Sequence, residues 1–374
     1  EVDERRDEQQ LRFEHGLVPA ELRPVAAALN ARFDKLASRL ARIEDALEEA
    51  MEDDFSGLDR NEVETWHLNI GALLGRAEST LALWREYAAG GEDERPPKAR
   101  WITLLGGAGQ YGFELRCSPI LAADILQEYL WPRAAGVIVT SATITALGSF
   151  ERFMLHSGAP RDASYKVVAS PFDYARATFA VPSMDCDPGD AEAHTTAIVE
   201  QLPRLLRRDQ GSLVLFSSRR QMQDVFHGVK GVLGDSILVQ GEYSKQEILR
   251  RHRETIDAGE GSIIFGLASF AEGVDLPGAY CRHVVIAKIP FAVPDSPLEA
   301  ALAEWVEAEG RNAFMEISVP DAALRLVQAC GRLLRTEKDT GRVTLLDRRV
   351  LTRRYGRAIL DSLPPFQREL GGTG

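Results

Sequence analysis

GSLVLFSSRRQMQDVFHGVK, residues 211–230, changes character in its middle. Leu213–Phe216 is an uninterrupted apolar run, short and bounded by Gly211 and two serines, and it reads as a strand buried on both faces. From Arg219 to Lys230 the chain reads as a helix, and a serine just before a helix is a common cap for its first free N–H groups. A buried strand that leads through a capping serine into a helix is the repeating unit of a parallel sheet covered on both sides.

The same rhythm continues outward from this unit. A helix is expected near 195–207 and strands at SILVQG (236–241), GSIIFGLAS (261–269), HVVIAKIPF (283–291) and RVTLLDRR (342–349). Between them lie helical stretches at SKQEILRRHRETIDAG (244–259), at 297–310, and in the segment that ends in QACGRLLR (328–335). Upstream, residues 1–95 read as helical. Leu22, Val25, Ala26, Leu29, Phe33, Leu36, Leu40, Ile43 and Leu47 recur at three and four, and a second such run ends at Gly90 and Gly91, so two long antiparallel helices are expected. EDALEEAMEDD (44–54) is an acidic face and turn, and GEDERPPKAR (91–100) reads as a polar linker. WITLLGG, YGFELRCSPI and GVIVTSATI (136–144) read as strands, with the helix AADILQEYLW between the last two.

The 374 residues carry a net charge of -12, with 45% apolar and 27% charged residues, which is globular chemistry and long enough for two domains. Net acidity gives no support to a nucleic-acid partner, although local charge decides binding. Cys117, Cys186, Cys281 and Cys330 are too far apart for a CxxC-type metal site and read as reduced thiols of a cytoplasmic protein. No run of 18 apolar residues is present, and EVDERRDEQQ resembles no signal peptide and lacks an initiator Met, so a fragment of a longer protein is expected.

In a parallel sheet, ligands bind beyond the carboxyl ends of the strands. TSAT (140–143), SSRRQ (217–221), SFAEGVDLPG (269–278) and QACGRLLR are read as lying at such ends. Taken singly, the first two are ordinary helix caps, and Arg332 and Arg335 are two cations three apart on one face of a core helix. Glu272, Gly273 and Asp275 are harder to dismiss, because a glycine between acids lets backbone approach a ligand. Guanidinium forks suit phosphate oxygens and the charge that develops in phosphoryl transfer.

In order, VIVTSATI, SPFDY (170–174), LVLFSSRRQM, LVQGE, IIFGLASFAEGVDLPG, VVIAKIPFAVPDSP and LVQACGRLLRTEKDTGRVTLLDRR resemble the carboxyl-terminal half of superfamily 2 DNA helicases of the DinG and XPD type. The resemblance is close over 135–370 and looser before. It implies a RecA-like P-loop NTPase motor domain, a parallel sheet with helices on both faces, at 161–374. Residues 99–160 would be the last strands of a first motor domain, and 1–98 a helical arch-type insertion. It implies that Thr140, Ser141 and Thr143 couple nucleotide to DNA, and that Ser217, Ser218 and Arg219 face the DNA track. Ser269, Glu272, Gly273 and Asp275 would touch nucleotide and strand. Gln328, Gly331, Arg332 and Arg335 would face the ATP phosphates, and Asp347 and Arg348 would be structural or coupling residues.

ATP and Mg²⁺ are the implied cofactors, and single-stranded or forked DNA, with R-loops among the candidates, the implied partner of a monomeric motor with 5′-to-3′ polarity. A replication or repair protein is a further implied partner, and no membrane is. The chain departs from the family in one respect: no GxxxxGK[ST] loop and no DEAH-type box occurs in it, and GGAGQYG (106–112) lacks the lysine and hydroxyl. The family's [4Fe-4S] cysteines would also lie upstream, and the chain alone is expected to hydrolyse little ATP. Two other readings stand beside this one: a nuclease built on the same helicase-like core, and a scaffold that docks a repair protein through the helical pair. A nicotinamide enzyme is disfavoured, because no GxGxxG follows a strand.

Overall fold

The computed structural model describes residues 9–52, 59–107, 110–267, 270, 273–292 and 296–371. Contacts divide the chain into two compact units, Glu1–Ala122 with Pro294–Arg311, and Ala123–Val293 with Asn312–Gly374. The division cuts across the boundaries expected at 98/99 and 160/161. Residues 99–122 group with the helical pair, 123–160 with the large sheet, and Pro294–Arg311 joins the smaller unit.

The smaller unit pairs a helical hairpin with a sheet. Helices α1 (Arg23–Glu52) and α2 (Arg60–Ala89) run antiparallel: Glu48 meets His67, Ala37 packs with Leu74 and Ala77, and Ala26 packs with Tyr87. Asp59 starts α2 by accepting the N–H groups of Asn61 (2.8 Å) and Glu62 (3.2 Å). Strands β1 (Gln9–Arg12), β2 (Lys98–Gly107) and β3 (Gln110–Pro119) form an antiparallel sheet in that order. β1 corrects the helical reading of 1–95: QQLR becomes strand by pairing with Trp101–Leu104, a partner distant in sequence. The helix Pro297–Ala308 belongs here, with Glu304 bound to Arg12 Nη1 (2.6 Å) and to the His15 N–H (2.8 Å).

The end of the expected linker at 91–100 enters this unit's core through Ala99 and Arg100. Arg100 is fully buried and donates to Glu94 Oε1 (2.6 Å), Gly16 O (2.9 Å), Glu94 Oε2 (3.0 Å) and Glu86 Oε2 (3.3 Å). Burial alone would raise the Glu94 carboxyl, but the Arg100 guanidinium outweighs it and holds that carboxyl below its usual range. Residues 91–97 are loop, as composition suggests, while the pairing of β2 with β3 makes Lys98–Arg100 strand.

The larger unit carries the parallel sheet. Its strands are β4 (Ala177–Val181), β5 (Gly211–Phe216), β6 (Ile237–Val239), β7 (Ser262–Leu267), β8 (His283–Ile286), β9 (Gly341–Leu345) and β10 (Gln367–Leu370). They lie in the order β10-β4-β9-β8-β5-β7-β6, with every pairing parallel. Before and between them run α3 (Ala123–Tyr129), α4 (Glu151–Ser157), α5 (Ala191–Leu205), α6 (Arg219–Leu233) and α7 (Lys245–Asp257). The strand period of two splits β5 cleanly. Leu213 and Leu215 join a core with Ile248 of α7 and Leu326, whereas Val214 and Phe216 join another with Ile198, Met222 and Val225 of α5 and α6. Gly211 is required at the start of β5, since a Cβ there would lie 2.2 Å from Tyr280 O.

Three expectations need correction in this unit. GVIVTSATI is not a strand: Val137, Ile138 and Val139 are 43%, 94% and 49% exposed, and among the described residues no strand pairs with them. A strand exists only when its N–H and C=O groups find a neighbour, and β10 and β6 occupy the edges of this sheet. β4 and β10, short and in one case wholly exposed, were not anticipated. Finally, the helix Val319–Cys330 stops before Arg332 and Arg335, which therefore do not share a helical face.

Candidate functional site

The two motifs expected to meet do so through the turn that ends this helix. Gly331 closes it, and i→i+3 bonds from Arg332 N to Ala329 O and from Leu333 N to Cys330 O tighten the chain. The tightening sends Leu333 and Leu334 into the core, at 0% and 4% exposure, and leaves the two arginines on the other side. Arg332 Nη1 donates to Val274 O (2.9 Å), and Arg335 Nε donates to Asp275 Oδ1 (2.7 Å).

Two residues that the motifs did not single out hold this junction. Arg253 Nη2 donates to Asp275 O (2.9 Å). Asp339, almost buried, accepts the N–H groups of Arg335 and Thr336 (both 2.8 Å) and the Thr336 hydroxyl (2.6 Å). Burial pulls the Asp339 carboxyl up, but these donors prevail and keep it below its ordinary range, so it stays ionised. Gly273 takes φ +69°, a left-handed conformation that a side chain would strain. Gln328 is exposed one turn earlier. Ser269 and Glu272 lie outside the described residues.

The remaining site residues lie elsewhere. QACGRLLR leads into the amino end of β9, whereas Ser217–Arg219 leave the carboxyl end of parallel β5, so the expectation that both lie at carboxyl ends is corrected. About 20 Å of strand separates the two sheet edges, six residues at roughly 3.3 Å each. Ser218 is the N-cap of α6, accepting from Gln221 N (3.2 Å), and Arg219 is exposed beside it. Thr140 and Ser141 are exposed, and Ser141 Oγ accepts the N–H of Thr143 (3.2 Å) in a local turn. Thr143 lines a groove of about 770 Å³ with Phe172, Asp173 and Tyr174 of SPFDY and with Val327, which brings two sequence signatures together.

Other charged residues of these elements are already engaged. Arg250 is bound to Glu247 and Glu254, and Arg251 is bound to Glu247 and stacks 4.0 Å from the Tyr243 ring. Asp347, fully buried at the end of β9, binds Ile289 N (3.0 Å) and the Arg349 guanidinium (2.7 Å), tying β8 to β9.

Residues 203–366 match the Helicase C-terminal domain family. The ATP-dependent DNA helicase DinG of Photobacterium profundum is 40% identical over 363 residues, 96% of this chain and 52% of that protein. The DinG of Salmonella typhimurium is 35% identical over 306 residues, 80% of this chain and 43% of that protein. The chain is homologous to the DinG/XPD family of superfamily 2 helicases.

It spans about half the length of these DinG relatives. Two XPD structures share its fold. An apo XPD gives a TM-score of 0.50 at 19% identity, covering 86% of this chain and 61% of its own. An XPD helicase gives 0.50 at 14%, covering 97% and 65%. The mixed α/β architecture with a large parallel sheet is thus XPD-like. The four cysteines of this DinG/XPD homologue do not suit an iron–sulfur cluster. Cys117 lies in the smaller unit and the other three in the larger, and burial pushes the Cys281 thiol up to about 12 and Cys330 further, against the thiolate a cluster requires.

Proposed function

We propose that the chain is the C-terminal part of an ATP-dependent DNA helicase that moves along single-stranded or forked DNA in repair or replication. Residues 161–374 act as its RecA-like second motor domain, 99–160 complete the first, and 1–98 form an arch. The observation that carries this is the junction in which Arg332 binds Val274 O and Arg335 binds Asp275. It joins the family's two nucleotide-facing motifs within one unit.

ATP would be held between two motor domains, with its phosphates and Mg²⁺ in the other one, since no GxxxxGK[ST] loop occurs among these 374 residues. The metal, when bound, neutralises charge on the β- and γ-phosphate oxygens. Arg335, whose carboxylate partner is 62% exposed, exchanges Asp275 for the γ-phosphate when the cleft closes, and Arg332 steadies the Val274–Asp275 backbone beside it. Gln328 lies one turn away as a further polar contact. Ser217–Arg219 and Gly273 then pass the cleft's movement to the DNA strand, in the family's 5′-to-3′ sense. The protein is cytoplasmic and acts as a monomer.

The test uses the full-length protein, comparing single-stranded-DNA-stimulated ATPase of the parent with Arg332→Ala and Arg335→Ala, and DNA binding alongside. A loss of a hundredfold or more in turnover with DNA binding kept is expected, as for an arginine that meets transition-state charge. Unchanged turnover overturns the reading. A second reading draws support from the helical hairpin, where Trp66, Leu68 and Leu73 are 62%, 74% and 49% exposed. In it, that face docks a repair or replication protein.

A further inference from the structure

The helical hairpin of the smaller unit leaves one of its sides open. Its seam is closed by Ala37 against Leu74 and Ala77, with Glu48 opposite His67. Beside the seam, Leu36, Leu40, Ile43 and Leu47 recur at three and four on α1, as Trp66, Ile70 and Leu73 do on α2. Seen from its own amino end, each row lies anticlockwise of the seam, which in an antiparallel pair puts both rows on one side. Leu68, 74% exposed, lies on the opposite side.

Together the two rows line a groove. Leu40, Leu47 and Ile70 are half-buried at its floor, while Leu36 (45% exposed), Ile43 (45%), Trp66 (62%) and Leu73 (49%) form its walls. From Phe33 to Leu47 it runs about 21 Å at 1.5 Å per residue, the length of a four-turn helix. Scattered exposed apolar residues are ordinary, but continuous rows on two adjacent helices mark a binding surface. A third amphipathic helix laid in this groove would complete a bundle.

The margins select the occupant. Arg32 and Arg39 border the groove on α1 and Arg76 borders it on α2, all three exposed. Among the described residues, no carboxylate lies within 4.0 Å of any of them. Asp34, Glu44, Asp45 and Glu48 of α1 fall in the seam or beyond it, and Glu62 stands past Trp66 in the first turn of α2. Three unpaired cations thus frame an apolar groove in a chain of net charge -12, at the flanking positions where charge decides which helix packs. A second copy of the hairpin would set arginine against arginine. A lipid surface meets the walls alone, whereas the side-chain ridge of a helix fills the recessed floor.

We infer that this groove docks an acidic amphipathic helix of a partner protein, with its apolar stripe on the floor and its flanking carboxylates on Arg32, Arg39 and Arg76. The inference deepens the docking reading of the hairpin and rests on it, and it is independent of the motor reading.

The probes are two 18-residue helical peptides with the same leucine stripe and either Glu or Lys at the flanking positions. Their binding to this chain and to the full-length protein is measured by anisotropy. The Glu peptide is expected to bind both proteins roughly tenfold more tightly than the Lys peptide, against the chain's own net charge, by a margin that shrinks as salt rises. Arg39→Glu with Arg76→Glu is expected to reverse that preference. Ile43→Asp with Leu73→Asp is expected to weaken the Glu peptide roughly tenfold, and Leu68→Asp to leave it unchanged. If the double aspartate variant misfolds, the exposed arginine reversals keep the readout.

Equal binding of the two peptides, both weakened by Ile43→Asp with Leu73→Asp, overturns the acidic occupant and leaves the docking reading standing. Binding of neither peptide to the full-length protein sinks both. Phosphatidylserine vesicles that bind the chain and are not displaced by the Glu peptide would make the face a lipid surface and overturn the inference.

Discussion

Arg335 donates its Nε proton to Oδ1 of Asp275 over 2.7 Å, although sixty residues separate them in the chain. The pair is 35% and 62% exposed, so it contributes at most about 1 kcal/mol to stability, screened by solvent as surface pairs are. Its consequence is orientation: the carboxylate parks a guanidinium beside the loop that Gly273 shapes. Asp275→Asn is therefore expected to leave the urea midpoint almost unchanged and to lower DNA-stimulated turnover of the full-length protein at least tenfold. In a cycle with Arg335→Ala the two effects are expected to be additive in stability and strongly non-additive in turnover. A stability loss comparable to a core deletion would make the pair a structural one.

The smaller unit depends on a different arginine. Arg100 is fully buried, with Glu86, Glu94 and the Gly16 carbonyl as its acceptors. Removing one partner from a buried ion pair strands the other, at a cost of about 3–5 kcal/mol. Arg100→Ala is expected to lose about that much, with faster hydrogen exchange confined to β1–β3 and the hairpin. If β5 and β8 exchange faster as well, the unit is not an independent cooperative body.

The larger unit carries a pH dependence in His283. Burial, aided by Arg342, holds its imidazole near 4, below the usual 6.5, while the ring bonds Thr344 Oγ1 at 2.8 Å. Above pH 6.5 neither folded nor unfolded chain is protonated there, so the full contribution is present. As pH falls from 6.5 towards 4, the unfolded chain takes up the proton and the folded one does not, so stability falls, by roughly 3 kcal/mol at the limit. Burial lowers His194 and His252 as well, which adds to the same slope. Urea midpoints at pH 7 and pH 4.5 should show the loss, and His283→Gln should flatten it; an unchanged slope in that variant excludes His283 as the source.

How much of this was legible in the sequence depends on what each element needs. β5, β7 and β8 were readable because strands apolar on both faces carry their own signature, and α6 was readable from the serine cap before it. The meeting of Asp275 with Arg335 was foreseeable only through motif order, since no local pattern encodes a contact across the fold. The arginines' true setting was hidden because helix ends are weakly marked: Gly331 and the buried pair Leu333–Leu334 end the helix early. β1, β4 and β10 are short and owe their structure to distant partners, and Arg100 looked like linker because a single buried charge leaves no periodicity.

VIVTSATI tests the difference between an apolar pattern and a strand. Ile138 is 94% exposed, so within this chain its side chain is removed from nothing. Ile138→Lys is expected to change the chain's stability by less than about 0.5 kcal/mol, as a surface substitution should. In the full-length protein the same residue would pair into the sheet of the first motor domain, where a buried lysine costs several kcal/mol. The substitution should therefore be harmless in one context and unfold or inactivate the other, read by thermal melts of both. A harmless outcome in both would mean that the segment is a surface loop of the whole protein, and the assignment of residues 99–160 to the first motor domain would fall.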